Sequence, residues 1–477
     1  MSNQLQKFLA VAALSYAVYW RYNFETSDFY TKIIDPIRCA IPKHLLSHPV
    51  IVEEGLISET TAQMLLGLIY KQQTFDNVIN ADLKRGAVKA TYEHIGEATP
   101  QMQNGGCAHP FLTPAVGNNS ECVLPGRVDV GRHFVQYGGP DAMREGHKSM
   151  VNRLSSFFRY HIGMQSLNEL SPDIKGMFED EKFKGAATAV CPKHKQFLDP
   201  FQFNFVIQVP GQTVALHTDA PYFWGASRQL FPQWLLVVMT FSNLFKEQFI
   251  DQVQVVAYLS KIDTTDPTTG GQFLFYRDNE ESGEYDYASA NYRAGNAVDG
   301  SKVVHAARIY RPSAQVPTLP KDKESTLVYS GQGEEWLLQL EGKTIATYKT
   351  DDLRISIVYR ARCFAHEEER DAYHAQTGGN GGMQLEGVLR KLVDKMDADE
   401  HEGGLFEGSK DNDRAGERKA GLLENSPEKR LQLAIKLMDH YIRYPLPTRE
   451  AAPTVPLNYC ALPKLLPGWL GGNLEIC

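Results

Sequence analysis

Fourteen histidines in 477 residues invite a search for groups that could hold a metal ion. The chain has a single His-x-Asp triplet, His217-Thr218-Asp219. Chance alone can supply such a triplet, so its surroundings decide its meaning. Upstream, Phe201-Gln-Phe-Asn-Phe-Val-Ile-Gln-Val209 alternates with period two and ends at the turn signal Pro210-Gly211. Residues i and i+2 of a strand share a face, so His217 and Asp219 can turn the same way at a strand end. An imidazole and a carboxylate placed together suit a divalent transition metal. Asn204 and Gln208, on the polar face of the preceding strand, can reach a small molecule bound nearby.

Three further features follow in order. Thr269-Gly270-Gly271-Gln272-Phe273-Leu274-Phe275-Tyr276 is a glycine-led strand. Gly295-Asn-Ala-Val-Asp-Gly-Ser-Lys-Val-Val-His305 is a turn feeding a β-branched strand that ends in histidine. Arg354-Ile355-Ser356-Ile357-Val358 places Arg354 and Ser356 on one face of a last strand. With the His-x-Asp turn, these features resemble the Fe(II)/2-oxoglutarate-dependent dioxygenases, closest to their prolyl-hydroxylase-like branch, over residues 200–360.

The resemblance implies that His217, Asp219 and His305 ligate Fe(II), and that Arg354 with Ser356 binds the cosubstrate 2-oxoglutarate. Such a triad occupies one face of an octahedral ion and leaves three positions for the 2-oxo acid and O2. Arginine suits the distal carboxylate because it offers two parallel N–H donors, a fork that lysine lacks. The implied reaction hydroxylates an unactivated C–H bond and releases succinate and CO2, with ascorbate as a reductant. The resemblance leans toward a peptidyl or amino-acid substrate, though no motif identifies it. An acidic Asp219 argues against the halogenase variant, in which a small residue stands there.

One spacing departs from the family pattern: 49 residues separate His305 from Arg354. Trp336 to Tyr348 reads as an extra hairpin inserted before the last strand, with a turn at Glu341-Gly342-Lys343. Arg308, Arg311 and Arg360 stay open as alternative cosubstrate partners, Arg360 on the same strand face as Arg354. Two other readings also stay open: a catalytically inactive jelly-roll binding protein, and a metal-dependent jelly-roll enzyme that does not use 2-oxoglutarate.

The fold expected is α+β with a mainly β core: a double-stranded β-helix, or jelly-roll, barrel with flanking helices and a C-terminal extension. Residues 1–40 form an N-terminal segment, 41–199 a helix-rich part packing on the barrel, 200–362 the dioxygenase core, and 363–477 an acidic linker with a helical extension. Within these, Val50–Gly55 reads as a strand, and Ser58 can cap a helix over Ala62–Lys71. Helices are expected over 141–162, 384–396 and 427–444, and a strand over 302–309. The remaining strands are expected over 253–259, 272–276, 336–340, 344–348 and 353–359.

Composition fits this reading. Apolar residues make up 43% and charged residues 22%, which excludes disordered and collagen-like chains. A net charge of −8 gives no global field for nucleic acid. Seven cysteines without a CxxC pair favour a reducing compartment and an intracellular soluble protein. The apolar run Phe8–Trp20 is shorter than the ~20 residues that span a bilayer. It remains open as a packed helix, a membrane anchor or a secretory signal. Asn118-Asn119-Ser120 is a glycosylation sequon that matters only in a secreted chain. Ser227, Ser242 and Cys191 lack the setting of a hydrolase nucleophile, and His194 and His366 sit in solvated charged runs. Tyr222-Phe223-Trp224 either lines a substrate mouth or packs its loop on the barrel.

Overall fold

The structure, a computed structural model, describes residues 41–77, 99–100, 113–115, 118–123, 153, 157–163, 172–226, 231, 233–262, 264, 266, 268–277, 285–320, 323–377, 382–402 and 427–442. All the elements below belong to one compact unit, Pro42–Asp278 with Tyr285–Arg443. A second unit comprises Met1–Ile41, Asn279–Glu284 and Tyr444–Cys477, and the Phe8–Trp20 run in it lies outside the described residues.

The first strands are β1 (Val50–Glu53), β2 (Thr74–Asn77), β3 (Thr99–Pro100), β4 (Thr113–Ala115), β5 (Asn118–Val123) and β6 (Phe158–Gly163). Next come β7 (Phe197–Gln208), β8 (Val214–His217), β9 (Tyr222–Phe223), β10 (Phe249–Ile250), β11 (Gln252–Tyr258), β12 (Phe273–Tyr276) and β13 (Tyr285–Ala288). The last are β14 (Gly295–Val298), β15 (His305–Ala307), β16 (Ser325–Tyr329), β17 (Glu335–Leu340), β18 (Lys343–Lys349) and β19 (Arg354–Phe364). The helices are α1 (Lys43–Leu46), α2 (Glu59–Gln72), α3 (Pro172–Glu179), α4 (Glu181–Val190), α5 (Gln233–Ser242), α6 (Glu367–Thr377), α7 (Leu385–Glu402) and α8 (Pro427–Tyr441).

Two antiparallel sheets carry the site. The larger has ten strands in the order β1-β14-β11-β19-β7-β6-β2-β16-β17-β18, and the smaller has four, β13-β12-β15-β8. Both strand orders are open, so among the described residues no hydrogen-bonded closure makes the single barrel that the sequence suggests. Period-two alternation sorts the large sheet into two faces. Phe203, Phe205 and Ile207 of β7, Val253, Val255 and Ala257 of β11, and Ile355, Ile357 and Tyr359 of β19 enter the main core. That core also holds Leu65 and Ile69 of α2 and Phe183 and Ala187 of α4. The intervening residues take the opposite face, where Gln208, Gln254, Arg354, Ser356 and Arg360 stand among Val206, Val256 and Val358. Apolar packing on one face thus fixes which side chains stand on the other.

Local chemistry explains several elements. The Ser58 hydroxyl accepts from the Thr61 N–H at 3.0 Å and starts α2. Glu341 and Gly342 both take positive φ, 50° and 76°, the geometry of a two-residue hairpin turn matched to strand twist. The β17–β18 hairpin is therefore present as expected, and β16 adds a third strand to the insertion.

Other expectations are corrected. Of the helix expected over 141–162, Arg153 is helical, but residues 158–162 belong to strand β6, whose aromatic and β-branched residues pair with β7; residues 141–152 and 154–156 lie outside the described residues. The strand over 302–309 shrinks to β15 because residues 299–303 form a tight turn around Asp299. Within the linker, Glu367–Thr377 is helical, with three glutamates at the helix N-terminus, where negative charge is favourable. Cys191 and Cys363, expected as thiols, form a buried disulfide between the end of α4 and β19, with Cα atoms 5.8 Å apart. Among the described residues, no helix is long and apolar enough to cross a membrane.

The disulfide closes a loop across 172 residues of sequence, which restricts the unfolded chain strongly. Replacing both cysteines by serine should lower the unfolding free energy by about 2–5 kcal/mol in urea titrations. An unchanged midpoint would contradict a bridge in the native protein.

Candidate metal centre

His217 ends β8 and His305 begins β15, and the two strands pair with His305 directly opposite His217. Directly paired residues of an antiparallel ladder present their side chains on one face, so the two rings approach with centroids 4.3 Å apart. Asp219 follows two residues after His217, and its Oδ1 lies 3.8 Å from His217 Nε2. One ligand atom from each of His217, Asp219 and His305 lies within 4.8 Å of the others, and all three residues are buried. Among the described residues this is the one such cluster.

The donor set fits a divalent transition metal. A carbonyl only accepts, so the 2.8 Å contact of His305 Nδ1 with the Val303 carbonyl places the ring proton on Nδ1. Nε2 therefore carries the lone pair, which faces the Gln254 amide nitrogen at 3.3 Å and is the one a metal ion would take in place of that contact. Burial first, then the neighbouring His217, pushes the His305 pKa down to about 3, so this imidazole is neutral near pH 7. Two imidazoles, one of them held neutral by burial, and one carboxylate match the facial triad of a nonhaem iron site.

Space for the carboxylate is made by Gly300. A Cβ there would lie 2.2 Å from Asp219 Oδ2 and 3.3 Å from His305 Cε1. The Gly300 carbonyl accepts from the Asp219 N–H at 2.7 Å. On the other side, Arg360 pairs with Asp219 Oδ1 and also donates to Gln254 Oε1, at 2.8 Å through Nε. The sequence therefore has a guanidinium on the candidate ligand itself, a contact that the shared strand face of Arg354 and Arg360 did not reveal.

Arg354 sits apart from that contact, in a separate nest of donors. Its Nε donates to the Gly271 carbonyl at 2.9 Å and its Nη1 to Gln208 Oε1 at 2.5 Å. The guanidinium lies 4.9 Å from the Tyr258 ring centroid. A Cβ at Gly271, where φ is +79°, would come within 3.1 Å of Arg354 Cδ, which explains the glycine leading β12. Gln208 Nε2 and Tyr310 Oη are buried and make no hydrogen bond, and both residues neighbour the buried Arg354. Burial raises the Tyr310 pKa to about 12, so its hydroxyl keeps the proton it can donate. The Ser356 hydroxyl reaches the Val206 carbonyl only at 3.5 Å.

The remaining candidates go elsewhere. Arg311 pairs with Asp352 at 2.8 Å and Arg308 lies over Tyr287, so neither faces the triad. Asn204 Oδ1 is 2.7 Å from His161 Nδ1. Tyr222 and Trp224 pack their loop on the body, Trp224 against Tyr373 and Tyr222 against Arg362. His194 and His366 are exposed, as expected. Sequence reasoning missed Gln254, Tyr258 and Tyr310. The first two could have been found by the alternation in Gln252-Val-Gln254-Val-Val-Ala-Tyr258, where polar residues recur on one face of a buried strand.

No protein-family model matches the sequence, and no curated protein matches it. Solved structures similar to this one include a Pseudomonas putida prolyl-4-hydroxylase, 9% identical, with a TM-score of 0.25, covering 70% of this chain and 97% of that one. Another is a Trichoplax adhaerens prolyl hydroxylase in complex with a hypoxia inducible factor peptide fragment, 9% identical, TM-score 0.27, covering 74% and 96%. A third is HygX from Streptomyces hygroscopicus with nickel and 2-oxoglutarate bound, 8% identical, TM-score 0.26, covering 66% and 83%.

Gly300→Ala should weaken divalent-metal binding by about tenfold or more, measured by Co(II) titration, while the far-UV circular dichroism stays native. Unchanged affinity would contradict the packing of Asp219 against this turn.

Proposed function

We propose that the protein is an Fe(II)- and 2-oxoglutarate-dependent oxygenase of the hydroxylase type, with His217, Asp219 and His305 as metal ligands and Arg354 as the cosubstrate arginine. The observation that carries the reading is the convergence of two buried imidazoles and one buried carboxylate within 4.8 Å of one another. Strand order supports a jelly-roll core. Taking β7, β8, β11, β12, β13, β14, β15 and β19 as eight strands in sequence, the first, third, sixth and eighth share one sheet and the rest share the other. That distribution is the one produced by two interlocked Greek keys.

When bound, iron with 2-oxoglutarate and O2 supplies oxidative chemistry: the 2-oxo acid becomes succinate and CO2, and one oxygen atom enters a C–H bond of the substrate. The chain's own residues hold and orient. Arg354 receives the distal carboxylate, turning its fork from Gln208 toward the incoming anion, while the Gln208 amide and the Tyr310 hydroxyl add donors. Ser356 is two residues along the same strand face and adds its hydroxyl from there. A charge-assisted hydrogen bond of this kind contributes about 1.5–3 kcal/mol. Burial of the pocket strengthens each of these contacts, because little water competes for the donors. Arg360 does a different job: it compensates the Asp219 charge and fixes the orientation of that carboxylate. Ascorbate, as a reductant, would support turnover from outside the protein.

Succinate release from 2-oxoglutarate with Fe(II) and O2 tests this reading. His217→Ala, Asp219→Ala and His305→Ala should each abolish it without unfolding the protein. Arg354→Met should raise the 2-oxoglutarate KM by roughly tenfold or more, and Arg354→Lys should restore it only in part. Wild-type rates in the triad variants would overturn the ligand set. Metal binding without any 2-oxoglutarate turnover would favour the jelly-roll enzyme that uses another cosubstrate, and absence of both would favour a binding protein.

A further inference from the structure

Next to the turn that packs on Asp219 lies a half-buried chain of four alternating charges, with Asp299 at its buried end. Lys195 Nζ is 2.8 Å from Asp251 Oδ2, and Asp251 Oδ1 is 2.5 Å from Lys302 Nζ. Lys302 Nζ lies 3.5 Å from Asp299 Oδ2 and 4.5 Å from the Phe249 ring centroid. The Asp299 side chain is 5% exposed and that of Lys302 15%, so both would be costly to bury without their partners. Burial works against charge on Lys302, but Asp299 and Asp251 outweigh it and hold the ammonium above the usual lysine range.

Asp299 opens the turn from which two of the three candidate ligands hang. Its Oδ1 accepts from the Ser301 N–H at 3.1 Å and from the Ser301 hydroxyl at 2.5 Å. Its backbone carbonyl accepts from the N–H groups of Lys302, at 3.0 Å, and Val303, at 2.9 Å. Its Oδ2 accepts from the Gln252 N–H at 3.3 Å, tying the turn to β11. Within this turn the Gly300 carbonyl receives the Asp219 N–H, and the Val303 carbonyl receives His305 Nδ1. A shift of the turn would therefore move the carboxylate and rotate one imidazole together.

We propose that Asp299 and Lys302 are positioning residues for the metal centre, acting through the carbonyls of Gly300 and Val303 rather than by touching metal or substrate. The inference rests on the metal-centre reading above. Lys302 anchors Asp299 to Asp251 and Lys195, and Asp299 shapes the turn. Partners one step removed from metal ligands typically change metal affinity about 10–100-fold when lost.

Co(II) titration of the full chain, read by the visible absorption of the bound ion, tests the proposal alongside urea denaturation of the metal-free protein. Lys302→Met and Asp299→Asn should weaken Co(II) binding about tenfold or more and alter its absorption spectrum. Lys302→Arg, which keeps the charge, should recover most of the affinity. A role confined to stability would lower the urea midpoint and leave the affinity and spectrum of the folded variants unchanged, and that result overturns the proposal. Ser301→Ala removes a single contact to Asp299 and serves if the charge variants do not fold; a native spectrum and affinity in that protein also overturn it. A wild-type chain that binds no Co(II) overturns the metal centre itself, whereas wild-type binding that the variants retain overturns this inference alone.

Discussion

The register of β8 against β15 is the constraint from which the site follows. Placing His305 opposite His217 brings two imidazoles onto one face with ring centroids 4.3 Å apart, and Asp219 joins them two residues later. A slip of one residue would turn His305 to the other face, because side chains alternate along a strand. The small sheet has apolar reasons to keep that register: Phe273 and Phe275 of β12 are buried in a cluster with Ala288 and Val303, and Phe273 packs 5.5 Å from the His305 ring centroid. The chemistry is thus held in place by packing that takes no part in it.

Polar burial on the facing sheet is the corresponding cost. Arg354, Arg360, Gln254 and Gln208 share one face of the large sheet, where desolvation must be offset by partners. The two arginines meet that need differently. Arg360 is matched to a carboxylate, whereas Arg354 is matched to neutral acceptors and to the ring of Tyr258, with burial lowering its pKa. A buried cation held by a backbone carbonyl and an amide oxygen, beside donors that make no hydrogen bond, is a setting suited to an anion. Six residues apart on one strand, two identical side chains acquire separate roles from what faces them.

Much of this was legible in the sequence, because it depends on short-range rules. The alternation of Phe201–Val209, the cap at Ser58, the turn at Glu341-Gly342 and the His-x-Asp pair are each read within a few residues. The parts that were not legible depend on distant pairing. β14 has only Gly295-Asn-Ala-Val298, too little pattern to announce a buried strand between β1 and β11. Cysteine connectivity across 172 residues cannot be deduced from spacing. Asp299 looks like any Asp-Gly turn until its carboxylate is found among Ser301, Gln252 and Lys302. The helix expected through residue 162 shows how an aromatic, β-branched segment is decided by the strand beside it rather than by local preference.

The account is tested most directly by locating a bound ion. Crystals grown with Mn(II) and measured for anomalous scattering should show one strong peak bonded to Nε2 of His217, Nε2 of His305 and the carboxylate of Asp219. A map with no peak there, or with the ion held by other side chains, would contradict it.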